Sequence, residues 1–201
     1  MHLNFFASLG ANVNYYAHPV SPNRFLAANV ARAEARSSAR KGAEMSLAAE
    51  LSFPSTRFCL QTEFGLAYRE VGVIANFTPT SLGNVQANRD GFYRNTNYYF
   101  ALGPGLNLGR HKGFYAGALF YTDLIQQKYF SGISRNTAND AELSDPGNDI
   151  DSENGIMLML RKQLKSFGPI TPHVYVRYTQ GLNQTRLRAF SAGVSISLEK
   201  H

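Results

Sequence analysis

No tryptophan occurs anywhere in this 201-residue chain, and only one cysteine does. Nor does any apolar run approach the roughly 20 residues that a membrane-spanning helix requires. Each scarcity excludes something. Cys59 has no partner for an internal disulfide, so the chain is not a cross-linked scaffold, and a lone cysteine on a polar strand face reads as a small filler rather than a nucleophile. The missing apolar runs exclude a helical membrane bundle but not a membrane-spanning β-strand, which needs only about 9 to 11 residues of alternating character. Without tryptophan, any aromatic girdle has to come from the 11 tyrosines and 14 phenylalanines. The chain opens with Met-His and passes at once into strand pattern, with no basic n-region, apolar core or cleavage site. An exported protein is therefore expected here in its mature form.

What is present is basic: 20 Lys and Arg against 14 Asp and Glu give a net charge of +6. The basic residues do not cluster with exposed aromatics and no nucleic-acid motif appears, so a nucleic-acid partner is not expected. A surface facing anionic lipid accounts for the charge equally well.

The main signal is period-two alternation. From Leu3 to Tyr16 the odd positions are Leu3, Phe5, Ala7, Leu9, Ala11, Val13 and Tyr15, and the even ones include Asn4, Ser8, Gly10, Asn12 and Asn14. The same reading predicts strands near 3–16, 43–53, 58–72, 93–108, 114–125, 155–164, 170–180 and 187–199, in a single domain spanning 1–201. Two places fit less well. Leu119 puts a large apolar residue on the otherwise polar face of the fifth strand, and Ile156–Leu160 is apolar on both faces and also reads as a short buried helix. Pro104, between Gly103 and Gly105, lacks a ladder donor and predicts a bulge or kink.

Connections are tight at 54–57, 109–113 and 165–169, long and polar at 17–42, 73–92 and 126–154, and short again at 181–186. Short turns at one end and long loops at the other are the asymmetry of a transmembrane barrel, with periplasmic turns and extracellular loops. A soluble eight-stranded barrel of the lipocalin kind has the same alternation. Residue size separates the two. The polar face is rich in Gly, Ala, Ser and Asn, which suits a crowded lumen, rather than in the Lys, Glu and Thr of a water-facing sheet.

The last strand, Ser191-Ala-Gly193-Val-Ser-Ile196-Ser-Leu198, follows polar-x-Gly-x-x-hydrophobic-x-hydrophobic. It resembles the C-terminal insertion signal of bacterial outer-membrane proteins, though it ends Leu198-Glu199-Lys200-His201 rather than on an aromatic. With the eight-strand layout, the chain resembles OmpA- or OmpX-type barrels and, more loosely, the PorT-like barrels of the Bacteroidota. That resemblance implies an all-β, eight-stranded antiparallel up-and-down barrel in the bacterial outer membrane. It also implies contact with outer-membrane lipid and lipopolysaccharide, recognition of the C-terminal strand by the barrel-assembly machinery, and a protein partner at the extracellular loops.

Lumen registers carry Glu44, Glu50, Glu63, Arg57, Arg69, Arg161 and Arg177, charges that are tolerable inside only if paired. Glu63 and Arg177 fall at similar mid-barrel heights, with Glu50 and Arg161 nearer the tight turns. The network is then either a plug that fixes the barrel or a narrow gated pore. Arg32, Arg36 and Arg40 would form a basic stripe if their alanine-rich stretch were helical. Together with Arg94, Arg186 and Arg188 near the outer strand ends they are candidates for lipopolysaccharide phosphate, or are simply solvated. The run Asp140, Glu142, Asp145, Asp149, Asp151 and Glu153 is a solvated loop, a partner for those arginines, or a weak match to a calcium loop whose glycine is one place late. Tyr15, Tyr68, Tyr98 and Tyr178 fall on lipid-facing registers suited to the headgroup boundary.

No metal site and no cofactor motif is read. Of His2, His18, His111, His173 and His201, only His18 falls near the outer leaflet, and no His-x-Ser pattern of the lipid A deacylase kind is present. The expectation is a non-enzymatic outer-membrane protein with a structural, surface-interaction or narrow-channel role. The alternatives are a lipid A-modifying enzyme and a soluble lipocalin-like carrier.

Overall fold

The computed structural model describes residues 1–16, 30–53, 56–79, 87–108, 113–135, 140–150, 152–182 and 187–198. All of its regular structure is strand: β1 (His2–Tyr16), β2 (Val30–Ser52), β3 (Phe58–Pro79), β4 (Ala87–Leu108), β5 (Phe114–Arg135), β6 (Asp140–Ile150), β7 (Asn154–Gln163), β8 (Ile170–Gly181) and β9 (Leu187–Leu198). β6 and β7 both pair with β5, β6 along its later half and β7 along Phe114–Thr122, so the two are successive lengths of one stave. The nine segments therefore make eight staves, each antiparallel to the next, and β1 closes on β9 through registers such as Leu9↔Val194. Closure leaves no sheet edge inside a bilayer, where an unpaired backbone group has no water to turn to.

Side chains alternate across this wall. Inward positions are buried and outward ones exposed, as in β7, where Ile156, Leu158 and Leu160 face out while Met157 and Met159 face in. That alternation removes the helical reading of Ile156–Leu160. The outer surface carries Leu9, Leu47, Phe64, Phe100, Val176 and Val194 on different staves, with Leu47 67% and Val194 57% exposed. A continuous apolar belt of this extent far exceeds the patch a water-soluble protein leaves uncovered. The fold is an eight-stranded transmembrane barrel, and the soluble-carrier reading does not survive its exterior.

The strands are longer than the alternation indicated. β1 covers β2 only over Arg40–Ser52, but β2 and β3 continue pairing to Val30↔Pro79, β3 and β4 to Phe77↔Ala87, and β5 and β6 to Arg135↔Asp140. A five-stranded sheet thus rises past the tops of β1, β8 and β9. Three expectations are corrected here. The intervals 17–42, 73–92 and 126–154 are largely strand among the described residues, not loop. Arg32, Arg36 and Arg40 lie on β2, so they form no helical stripe. Asp140, Glu142, Asp145 and Asp149 lie on β6, paired with β5, and Asp151 is outside the described residues, so the acidic run is not a cation-binding loop over 140–150.

The irregularities fall elsewhere than at Pro104. That residue pairs with Leu60 in an unbroken β3–β4 ladder, and the β4–β5 register is the same on both sides of it. The ladder shift comes opposite Leu124, between Tyr98↔Ile125 and Tyr99↔Asp123, and a second lies between Ala39 and Gly42 of β2. A proline can sit in a continuous strand when its ring faces outward and one neighbour's ladder omits the bond it cannot donate.

Candidate functional site: a charged and packed lumen

The interior is built by tyrosine rings laid over glycines. A Cβ on Gly65 would strike the Tyr99 ring, one on Gly105 or Gly117 the Tyr115 ring, and one on Gly10 or Gly193 the Tyr175 ring. Each ring therefore occupies space that a side chain on a neighbouring strand would need, which explains the abundance of glycine on the inner face. Replacing Gly65 with valine is expected to lower stability by about 1–3 kcal/mol, the usual cost of overpacking. The shift would be read in the urea midpoint of folded barrel, and an unchanged midpoint would mean the ring has free space to move into.

At mid-height these tyrosines carry the charge network. Arg177 donates to Glu63 Oε1 at 2.7 Å, to Glu44 Oε1 at 3.0 Å and to the Tyr99 hydroxyl at 2.9 Å. Tyr99 in turn donates to Glu63 at 2.7 Å, Tyr175 donates to Glu44 at 3.1 Å, and Ser191 donates to the second Glu44 oxygen at 2.9 Å. Gln61 completes Glu63 with a bond of 3.2 Å. One guanidinium thus holds two carboxylates, and neutral donors satisfy their remaining lone pairs, the condition under which buried charge is tolerated.

Toward the tight turns, Arg161 pairs with Glu50, which also accepts from Ser52 at 2.8 Å and Asn107 at 3.1 Å. The Arg161 guanidinium carbon lies 3.7 Å from the Phe6 ring centroid and 4.5 Å from that of Tyr115, two contacts of the cation–π kind. Below it, His173 meets Ser197 Oγ at 3.1 Å and Phe6 edge-on at 5.3 Å. Toward the other end, Arg69 donates to the Tyr121 hydroxyl at 2.8 Å and lies 3.8 Å from Asp123, which is bonded to Tyr121 and to Asn97 at 2.7 Å. Glu153 caps the lumen there by accepting from the Leu187 backbone N–H at 3.0 Å.

Six of the seven expected lumen charges, Glu44, Glu50, Glu63, Arg69, Arg161 and Arg177, are buried inside the barrel. Arg57 is not. It is exposed in the turn before β3, where its carbonyl accepts from the Asn107 N–H, because the strand and its alternation start one residue later at Phe58. Asp123, Asn97 and Glu153 belong to the network without having been among the expected lumen charges, Glu153 having been read as part of the acidic run. Asp123 had a signal, since it continues the inward series Tyr115, Leu119, Tyr121. Leu119 is itself part of an inward apolar cluster with Met157, Met159, Cys59 and the tyrosines, so one side of the lumen packs like a soluble core.

On the outer surface, near the end where β1 stops, Tyr178 donates to Gln180 Oε1 at 2.8 Å and Arg188 Nε donates to the same oxygen at 3.0 Å. The Arg188 guanidinium lies 5.9 Å from the Tyr15 ring centroid. Further round, Tyr68 donates to Glu70 at 2.8 Å and Arg94 meets Glu70 at 3.4 Å. Arg40 is exposed on β2, the side chains of Arg32 and Arg36 are outside the described set, and Arg186 is outside the described residues.

No protein-family model matches the chain, and no curated protein matches it in sequence. Among solved structures it is similar to Ail, the attachment invasion locus protein of Yersinia pestis, with 10% identity, 98% of this chain and 99% of that chain covered and a TM-score of 0.45. It is similar to Neisserial surface protein A with 7% identity, the whole of both chains covered and a TM-score of 0.40. It is also similar to the outer membrane protease OmpT from Escherichia coli with 8% identity, 97% and 95% covered and a TM-score of 0.40.

Proposed function

We propose that this chain is an integral protein of the bacterial outer membrane, non-enzymatic and closed to steady conduction, whose work is structural and at the cell surface. In this reading the tight turns face the periplasm, the raised sheet faces outward, and the C-terminal strand is the segment read by the barrel-assembly machinery. The observation that carries it is the filled lumen. Arg177, Glu44, Glu63 and Tyr99 meet across mid-barrel, with Tyr175, Tyr115 and Tyr121 packed above and below. Eight strands leave an interior just wide enough for side chains, and here side chains occupy it. The exposed tyrosine and arginine positions support contact with lipid phosphate, and the raised sheet supports a protein partner outside the membrane.

Planar-bilayer recording tests the closed lumen. The expected outcome is no steady large conductance. Rare small openings should favour cations, since Glu44, Glu50, Glu63, Asp123 and Glu153 outnumber Arg69, Arg161 and Arg177 in the described lumen. Long-lived open channels from monodisperse protein would overturn the plug. Heat-modifiable migration on a denaturing gel tests the membrane barrel itself: folded protein should run differently until boiled, and identical migration before and after boiling would count against it. Hydrolysis or acyl transfer on purified lipid A would replace the non-enzymatic reading.

A further inference from the structure

The outer wall is not evenly convex. A groove of about 610 Å³ runs diagonally across it from Phe58 and Leu106 on β3 and β4, over Ala116 and Ala118 of β5, to Tyr178 and Phe190 on β8 and β9. The registers that join these residues are Leu106↔Ala116, Ala118↔Leu158, Leu158↔Tyr178 and Tyr178↔Phe190, so the path is continuous from strand to strand. Its floor is low because β5 presents two alanines where the paired strands β4 and β7 present Pro104, Leu106, Leu158 and Leu160. The volume falls within the range of about 300–1,000 Å³ typical of small-molecule sites.

The upper end of the groove is polar and cationic. Tyr178, which lines it, is bonded to the Gln180 oxygen that also anchors Arg188. Arg188 spends Nε on that bond and also hydrogen-bonds Tyr15, two bonds that fall short of the five N–H donors a guanidinium carries. Lys41, exposed on β2, is the register partner of Val13, itself the partner of Phe190, so a second cation stands two strands beyond the groove's end, across β1. An apolar groove whose end at Tyr178 lies beside a held guanidinium near the membrane boundary matches one kind of molecule.

The geometry points to a lipid-binding site in which Arg188, with Lys41, takes the phosphate of an anionic lipid and the groove over Ala116 and Ala118 takes one of its acyl chains. This rests on the membrane-barrel reading and adds a stoichiometric site to it. Phosphate alone would have no reason to stay, because a solvent-exposed guanidinium holds a small anion weakly. A zwitterionic lipid would fill the groove and offer a phosphate too, but its own cation opposes Arg188 and Lys41.

Native mass spectrometry of the folded barrel in detergent tests this, with phosphatidylglycerol and phosphatidylcholine of equal chain length as probes. One phosphatidylglycerol should be retained about tenfold more strongly than phosphatidylcholine, whose choline cation is repelled by Arg188 and Lys41. Arg188→Gln with Lys41→Gln should erase that preference, so that the two lipids are retained equally. Ala118→Trp should reduce retention of both lipids by raising the groove floor, and Ala116→Leu serves if the tryptophan variant does not fold. Inorganic phosphate in excess should displace neither. Equal retention of the two lipids by the wild-type barrel, no effect of either groove variant, or full displacement by inorganic phosphate would each overturn the site. Heat-modifiable migration is recorded on every sample, so failure of the barrel reading is told apart from failure of the lipid site.

Discussion

Arg177→Leu is expected to destabilise the barrel by about 3–5 kcal/mol, the cost of leaving buried charge without its partner. Arg177 is 2% exposed and is the guanidinium that reaches both Glu44 and Glu63, so its loss strands two carboxylates at once. Glu63→Gln should cost much less, because Arg177 retains Glu44 at 3.0 Å and the glutamine carbonyl can still accept from Tyr99. The ordering is the informative part. Adding Glu44→Gln and Glu63→Gln to Arg177→Leu should recover a substantial fraction of the loss, since neutral amides cost less to bury than orphaned carboxylates. The measurement is equilibrium urea unfolding of protein folded into vesicles, analysed as a cycle. If the effects of the three substitutions simply add, the cluster does not act as a unit and the plug is held by packing alone.

The parts of this molecule that were legible in the sequence are those where membrane and lumen impose opposite demands on successive residues. All eight staves, and inward positions such as Glu63 and Arg177, follow from period-two alternation because a one-residue slip would expose every charge to lipid. Where that contrast fades, so does the signal. In the early part of β2, Ala31-Arg32-Ala33-Glu34-Ala35-Arg36-Ser37-Ser38 has no apolar face to count, so the strand reads as a loop. Arg57 was drawn into the lumen by the opposite error, extrapolation of the alternation one residue into a turn.

Contacts across the lumen are the other illegible part. Register tells which residues point inward, but not that Tyr99 lies over Gly65 or that one arginine takes two carboxylates, because those contacts depend on how the staves are staggered around the barrel. Leu119 looked like a break in the pattern for a related reason. The expected interior was uniformly polar, whereas Leu119, Met157, Met159 and Cys59 pack together on one side of it.

Arginine scanning along β1 should reveal the thickness of the apolar belt. Leu3, Leu9 and Val13 all face outward on this one strand and are 53%, 59% and 45% exposed. Ten residues of strand separate the first from the last. At about 3.3 Å per residue and a tilt of roughly 40° this is about 25 Å along the membrane normal, the height of the apolar band in barrels of this type. Leu9→Arg at the middle should therefore cost about 2–4 kcal/mol, while Leu3→Arg and Val13→Arg near the two boundaries should cost about 0–1 kcal/mol. Val13 carries the further expectation of the smaller penalty, because it lies two residues before Tyr15, where Arg188 already stands at the surface. An arginine two residues from that level can extend to the same headgroup layer. The same urea midpoints, compared in vesicles of one lipid composition, check the profile. A flat response across the three positions would mean that this face of β1 does not meet hydrocarbon, and the orientation of the whole wall would have to be reversed.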